Sequence, residues 1–414
     1  MAKIFPFAAY RYTGIAGPPV ALVTQPYDKI YPAMRKKYLD LSPYNLVRII
    51  LGEPKETDSP SDNVYTRAAA HLKEWIEGGV LARDKEPSLF AYFQEFRVPD
   101  TGQYLVRKGF VGLGQLEDYS ANVVYRHEQT LSGPKKDRLE LLRHTRAQFE
   151  QLFMLYPDPE GEIDAMLDAV SKEAPVMQVA DEYGAEHRLW RMSDPGLIAR
   201  IQQLMAPKKL LIADGHHRYE TALAFRDENP GDVAASRVVM TFVNMHSPGL
   251  KILATHRLIS DLPSFSEEDF LRRAGVGFKV ERIESLEALT KRWQDSRQGE
   301  CVIGAAVRGG LYALTARNPT SELDVPVLHK ALIGGVLGIS EEQVREGQHL
   351  RYIRGLGSAV EEVKSETAQI AFLLKPPSVQ QVADISFGGG VMPQKSTDFY
   401  PKLLSGLTIY KFEP

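Results

Sequence analysis

The chain is short of cysteine, of unbroken apolar runs and of surplus positive charge. One cysteine, Cys301, stands among 414 residues, which excludes an internal disulfide and a thiolate zinc cluster within the chain. It lies in ECVIGAAV (300–307), whose apolar neighbours predict a buried structural thiol. No window approaches the ~18 uncharged apolar residues of a membrane helix, and MAKIFPFAAYRYTG lacks the apolar core of a signal peptide. Cytoplasmic residence without a membrane partner is therefore the expectation. A net charge of −3 leaves no footprint for sequence-independent nucleic-acid binding. Three motifs are also missing: G-x-G-x-x-G after a strand, G-x-x-x-x-G-K-[ST], and H-E-x-x-H.

What is present suits an ordinary globular protein, 43% hydrophobic and 25% charged. The length predicts two or three domains, read here as an N-terminal α+β domain over 1–157, a central segment over 158–262 and a C-terminal α+β segment over 263–414. SLFAYFQEFRV with TGQYLVRKGFVGLGQ, APVMQVADEYGAEHRLWRM, and CVIGAAVRGGLYALTA read as hairpins. SRVVMTFVNM, LKILATHRLI, GFKVERI and TAQIAFLLKPP read as strands. Lys136–Tyr156 reads as one long amphipathic helix. Hairpins interspersed with helices predict an α+β fold with mixed sheets and flanking helices.

The stretch LLIADGHHRYETALAF (210–225) carries the chemistry. Leu210–Ala213 is a short apolar run that suits a buried strand, Gly215 permits a turn, and the pattern from His216 to about Glu228 is helical. A helix N-terminus carries unpaired N–H groups and a partial positive charge, so cations there are ordinarily unfavourable. An anion in front of the turn reverses the sign, with His216, His217 and Arg218 converging on a phosphate or carboxylate. Two other readings stand beside this one: histidines bonded to neighbouring carbonyls, and a metal held by Asp214, His216, His217 or Glu220.

Three further stretches bear polar chemistry. Within NVVYRHEQTLSGPKKDRLELL (122–142), which also holds Thr130, His127-Glu128 offers a base, and Lys136 and Arg138 offer phosphate contacts; read locally it is a solvated loop. LATHRLI places His256-Arg257 in an apolar strand. FGGGVMPQKSTDFYPKLLSGLTIY (387–410) follows three glycines with Lys395, Ser396 and Thr397, one ammonium and two hydroxyls, or else is a surface loop closed by Pro393 and Pro401. Near the start, QPYDKI sets Asp28 where it would cap the following helix.

FPFAAYRY, QPYDKI, SPYNLVRIILG, YRHEQT, KKDRLELL, IADGHHRYETAL, ATHRLI and MPQKSTDFYPKLLSGL together resemble a bacterial and archaeal family known as a domain of unknown function, over nearly the whole chain. At longer range, DGHHR resembles the nucleotide-phosphate motif of the ParB/sulfiredoxin-like fold, which includes free-serine kinases. Sulfiredoxin has a Cys before its His-Arg pair; His216 stands there here, which argues against sulfinic-acid repair. The resemblance implies a ParB/sulfiredoxin-like core around the strand-turn-helix. It also implies that Asp214, Gly215, His216, His217 and Arg218 contact phosphate.

The expectation is a nucleotide-dependent phosphotransferase for a small hydroxylated metabolite, such as free serine. ATP or ADP would be held with Mg²⁺, bridged through Asp214. Glu128 is the candidate base, with His127 second, and Lys395, Ser396 and Thr397 close over the phosphates. The alternative is a nucleotide-binding or nucleotide-hydrolysing switch or scaffold. A DNA-associated module fits the charge poorly, and self-association is left open. Arg218→Ala is expected to weaken nucleotide binding more than the fold.

Overall fold

Nine strands pair into one mixed sheet in the computed structural model, which describes all residues except 100, 129–132, 298, 319–322, 394 and 413–414. Thr130 thus lies outside the described residues. The sheet runs Val124–Tyr125, Leu210–Asp214, Leu152–Tyr156, Arg237–Asn244, Tyr104–Gln115, Leu89–Arg97, Glu186–Met192, Met177–Ala180, with Ile4–Phe5 beside Tyr104–Gln115. Pairing is antiparallel except between Leu210–Asp214 and Val124–Tyr125, and between Arg237–Asn244 and Leu152–Tyr156.

Alternation along the strands divides their side chains between two cores. Leu152, Met154, Tyr156, Leu210 and Ile212 pack with residues of the helices Glu162–Val170, Pro195–Met205 and His216–Glu228. Phe153, Leu155, Leu211 and Ala213 join the other core, with Ile252, Phe399, Leu403 and Leu407. This double burial corrects one expectation. The helix predicted over Lys136–Tyr156 spans Gly133–Thr145 instead. Arg146 then adopts a left-handed φ of 46°, and LFMLY becomes a strand. A run buried on both faces shows no alternation, so its apolar residues merged with the preceding helical pattern.

A second, wholly antiparallel sheet of six strands runs Phe278–Ile283, Gly310–Ala316, Val302–Val307, Ile370–Leu373, His256–Ile259, Leu350–Ile353. One of its cores includes residues of helix Glu267–Gly277 and the π-helix Leu328–Val336; the other includes residues of Leu286–Gln294 and Leu356–Lys364. The three predicted hairpins are present as antiparallel pairs. The boundary expected at 157/158 falls inside the nine-stranded sheet. The one at 262/263 follows the first strand of the second sheet.

The segment after the second sheet returns to the first. Asp398–Tyr400 pairs with Lys251–Leu253, and Ser405, Ile409 and Tyr410 bridge to Thr24, Tyr10 and Gln148. No helix among the described residues is long and apolar enough to cross a membrane.

Candidate functional site

Leu210–Asp214 ends at the edge of a cavity of about 460 Å³. Gly215 makes the turn with φ 97°, a left-handed conformation that favours glycine. A Cβ there would also stand 2.9 Å from Leu152. Helix His216–Glu228 then begins with no side-chain cap, which leaves its first N–H groups available. Asp214, Gly215, His216, His217 and Arg218 all line the cavity, as do Glu128, Lys395 and Thr397 from distant parts of the chain. Glu128 and Met392 form a parallel bridge, and the Met392 N–H donates to the His127 carbonyl at 2.6 Å. That bridge brings the two loops together.

His127 and Ser396 do not line it. His127 is fully buried behind the loop; its Nδ1–H donates to the Ile212 carbonyl at 2.7 Å, and its Nε2 accepts from the Thr397 hydroxyl at 2.6 Å. Its ring touches the cavity lining at three residues: Thr397, Glu128 with Oε1 3.7 Å from Nε2, and His216 with ring centres 4.6 Å apart. Ser396 is also buried and donates to the Pro393 carbonyl. His256 and Arg257 are both buried in their strand, and Arg257 braces the loop by donating to the Lys395 carbonyl at 3.1 Å.

Sequence reasoning missed half of the lining. Asp28 does not cap the helix Pro32–Leu41, which has no side-chain cap; it lies in the turn Tyr27–Lys29, whose three residues all face the cavity. Thr255, Tyr352, Arg354, Asp398 and Lys402 also line it. Asp398 and Lys402 stood within the quoted KSTDFYPK string, four residues apart. Arg354 carried no local signal.

Electrostatics revise the picture of three clustered cations. Burial holds His127 and His216 below the ordinary histidine value, as it does His217 with Lys135 nearby. The main-chain N–H of His127 donates to His216 Nε2 at 3.4 Å, which only a neutral ring can accept. Arg218 is charged but committed. It donates to Asp214 at 2.9 Å and to the Gln151 carbonyl at 2.6 Å. Lys402, buried, lies 3.1 Å from both Asp214 and Asp398, and Arg354 grips Asp398 with two nitrogens. Burial alone would raise the Asp214 pKa, but Lys402 and Arg218 hold it well below the carboxylate range. Lys29 faces Asp28 at 3.1 Å. Lys395 is the lining cation with no carboxylate partner among the described residues.

The neutral histidines predict a pH dependence. Their folded pKa lies below an unfolded value of about 6.5, so their stability contribution is present above that pH and lost as pH falls. Each costs up to about 1.4 kcal/mol per pH unit. Denaturant melts between about pH 7.5 and 5 should show the loss; a flat profile would mean the rings are protonated in the fold.

The arrangement defines an α+β protein with a charge-lined cavity at a helix N-terminus, closed by segments of both sheets. The chain belongs to the family described as "Protein of unknown function (DUF1015)", matched over residues 4–332. No curated protein matches it. Among solved structures it is similar to a conserved hypothetical protein from Pyrococcus furiosus (14% identity, 67% of this chain and 87% of that chain, TM-score 0.35). It is also similar to a free serine kinase in complex with AMP (16%, 67% and 83%, 0.37) and to SbnI with a C-terminal truncation from Staphylococcus aureus (11%, 72% and 87%, 0.35).

Proposed function

We propose that the cavity binds the phosphates of ATP or ADP and that the protein is a phosphotransferase for a small hydroxylated metabolite, with free serine the first candidate. On this reading the Leu210–Glu228 unit is a ParB/sulfiredoxin-like phosphate motif. One observation carries it: an uncapped helix N-terminus, the ammonium of Lys395 and the carboxylate of Glu128 meet in one cavity. Phosphoryl transfer needs little more than positioning and charge neutralisation, and these groups supply both.

Glu128 takes the proton of the acceptor hydroxyl. Its Oε1 lies beside Thr397 Oγ1 at 3.4 Å, a contact that leaves the hydroxyl hydrogen on His127. Thr397 is in turn held by His127. Asp214 holds Lys402 and Arg218 in place. Among the described residues no three His, Cys, Asp or Glu side chains group to hold a metal ion. A nucleotide-borne Mg²⁺ needs only one or two carboxylates and takes phosphate oxygens and water besides. Asp214 can serve only by sharing a carboxylate already claimed by two cations. When bound, the ion would neutralise charge on the phosphates.

Product analysis tests the reading. Nucleotide consumption should rise on adding serine or another hydroxylated acceptor, with a phosphorylated product in equal amount. Slow consumption that ignores every acceptor would favour a nucleotide-hydrolysing switch. Lys395→Gln isolates the phosphate contact. It should weaken nucleotide binding by about ten- to a hundredfold, the worth of a charged hydrogen bond. Because the residue is exposed, stability should move by no more than about 0.5 kcal/mol. Calorimetric titration and a melt on the same variant give both numbers; unchanged affinity would remove Lys395 from the site.

A further inference from the structure

The polar cavity has an apolar neighbour. A second cavity, of about 670 Å³, is lined by Ile30, Ile49, Ile50, Leu51, Val64 and Leu141, with charged groups among them from Arg35, Glu53, Asp137 and Arg138. The two flank one turn of chain, since Tyr27, Asp28 and Lys29 line the first and Ile30 lines the second. A residue of each is stacked on a residue of the other, Tyr27 of the first on Arg138 of the second. The Arg138 guanidinium lies 4.2 Å from the centre of the Tyr27 ring. Arg138 is buried, donating to the Ile50 carbonyl at 2.7 Å. Tyr27 is pinned from behind, its N–H donating to Glu150 at 2.9 Å.

We propose that the apolar cavity seats the nucleobase of the nucleotide whose phosphates enter the polar one. The inference rests on the phosphate reading above and extends it. A ligand spanning both cavities needs an anionic end and a flat apolar end joined by a short polar link, which is the build of a nucleotide. An Arg–Tyr stack offers a plane on which a heteroaromatic ring continues the stacking. The volume lies within the range of small-molecule sites. The lining offers both kinds of hydrogen-bonding group that base edges require, donors on Arg35 and acceptors on Asp137 and Glu53. The polar stretch GEPKETDSPSDN (52–63) gives its first residues Gly52, Glu53 and Pro54 to the lining.

Three probes decide it: ATP, inorganic tripolyphosphate and adenosine, each titrated calorimetrically into the full chain. The wild type should bind ATP more tightly than tripolyphosphate by about tenfold or more. Val64→Trp, which fills the apolar cavity, should bring ATP affinity down toward that of tripolyphosphate and leave tripolyphosphate binding unchanged. Ile30→Trp provides the same test should Val64→Trp fail to fold. Equal wild-type affinity for ATP and tripolyphosphate overturns the inference while sparing the phosphate reading, as does a folded Val64→Trp that binds ATP undiminished. Adenosine binding without tripolyphosphate binding overturns the phosphate reading and keeps the base seat. Binding of none of the three overturns both.

Discussion

Replacing Arg218 with alanine is expected to cost about 3–5 kcal/mol of unfolding free energy, the range for breaking a buried ion pair by removing one partner. The side chain is 12% exposed and serves Asp214 and the Gln151 carbonyl together. Its loss strands a buried carbonyl and half-strips a half-buried carboxylate, and Lys402 at 3.1 Å from Asp214 limits the damage to the lower part of the range. The sequence alone leads to the opposite expectation, a larger loss of nucleotide binding than of stability, because it does not show that Arg218 is paired with Asp214 and the Gln151 carbonyl. Nucleotide affinity should fall too, because Asp214 and the turn that follows it lose their brace. A denaturant melt decides the matter. A loss below about 1 kcal/mol would mean that the guanidinium contributes no more than a surface ion pair.

Glu128→Gln is expected to slow acceptor-dependent turnover by about 10²–10⁴-fold, the contribution of a positioned general base. In barrier terms that is roughly 2.7–5.5 kcal/mol. The amide keeps the shape of the side chain and its contact with Thr397, so nucleotide affinity should hold within about threefold, or ~0.7 kcal/mol. Steady-state rates and a nucleotide titration on the same protein separate the two quantities. Turnover retained within about tenfold would assign the proton to another group.

The strand, turn and helix at 210–228 were legible because their signals are local: an apolar run, a glycine at positive φ, then an uninterrupted helical pattern. The hairpin at 302–316 was legible for the same reason, with Gly309-Gly310 between two apolar strands. Leu152–Tyr156 was not, since burial on both faces erases the alternation that marks a strand. Lys402 and Arg354 were not either, because their meaning lies in carboxylates that only the fold brings near. The charge state of His216 and His217 was equally hidden, for it depends on how deeply the cavity wall buries them.

Sequence separation along the site has a kinetic consequence. Lys402 meets Asp214 across 188 residues, Thr397 meets Glu128 across 269, and Gln94 reaches the Lys402 carbonyl across 308. Contacts of such high order form late, after the entropy of closing long loops has been met by structure elsewhere. On a ribosome the chain completes all nine strands of the large sheet by Asn244, yet neither Arg354 nor Lys402 has been made at that point. Asp214 then lacks one of its two cations, Glu128 lacks Thr397, and the turn at Gly215 stands open to water. The protein therefore passes through a stage of synthesis in which its scaffold can be folded while its cavity has only half a wall, and the rest of the lining comes from the last part of the chain to be made.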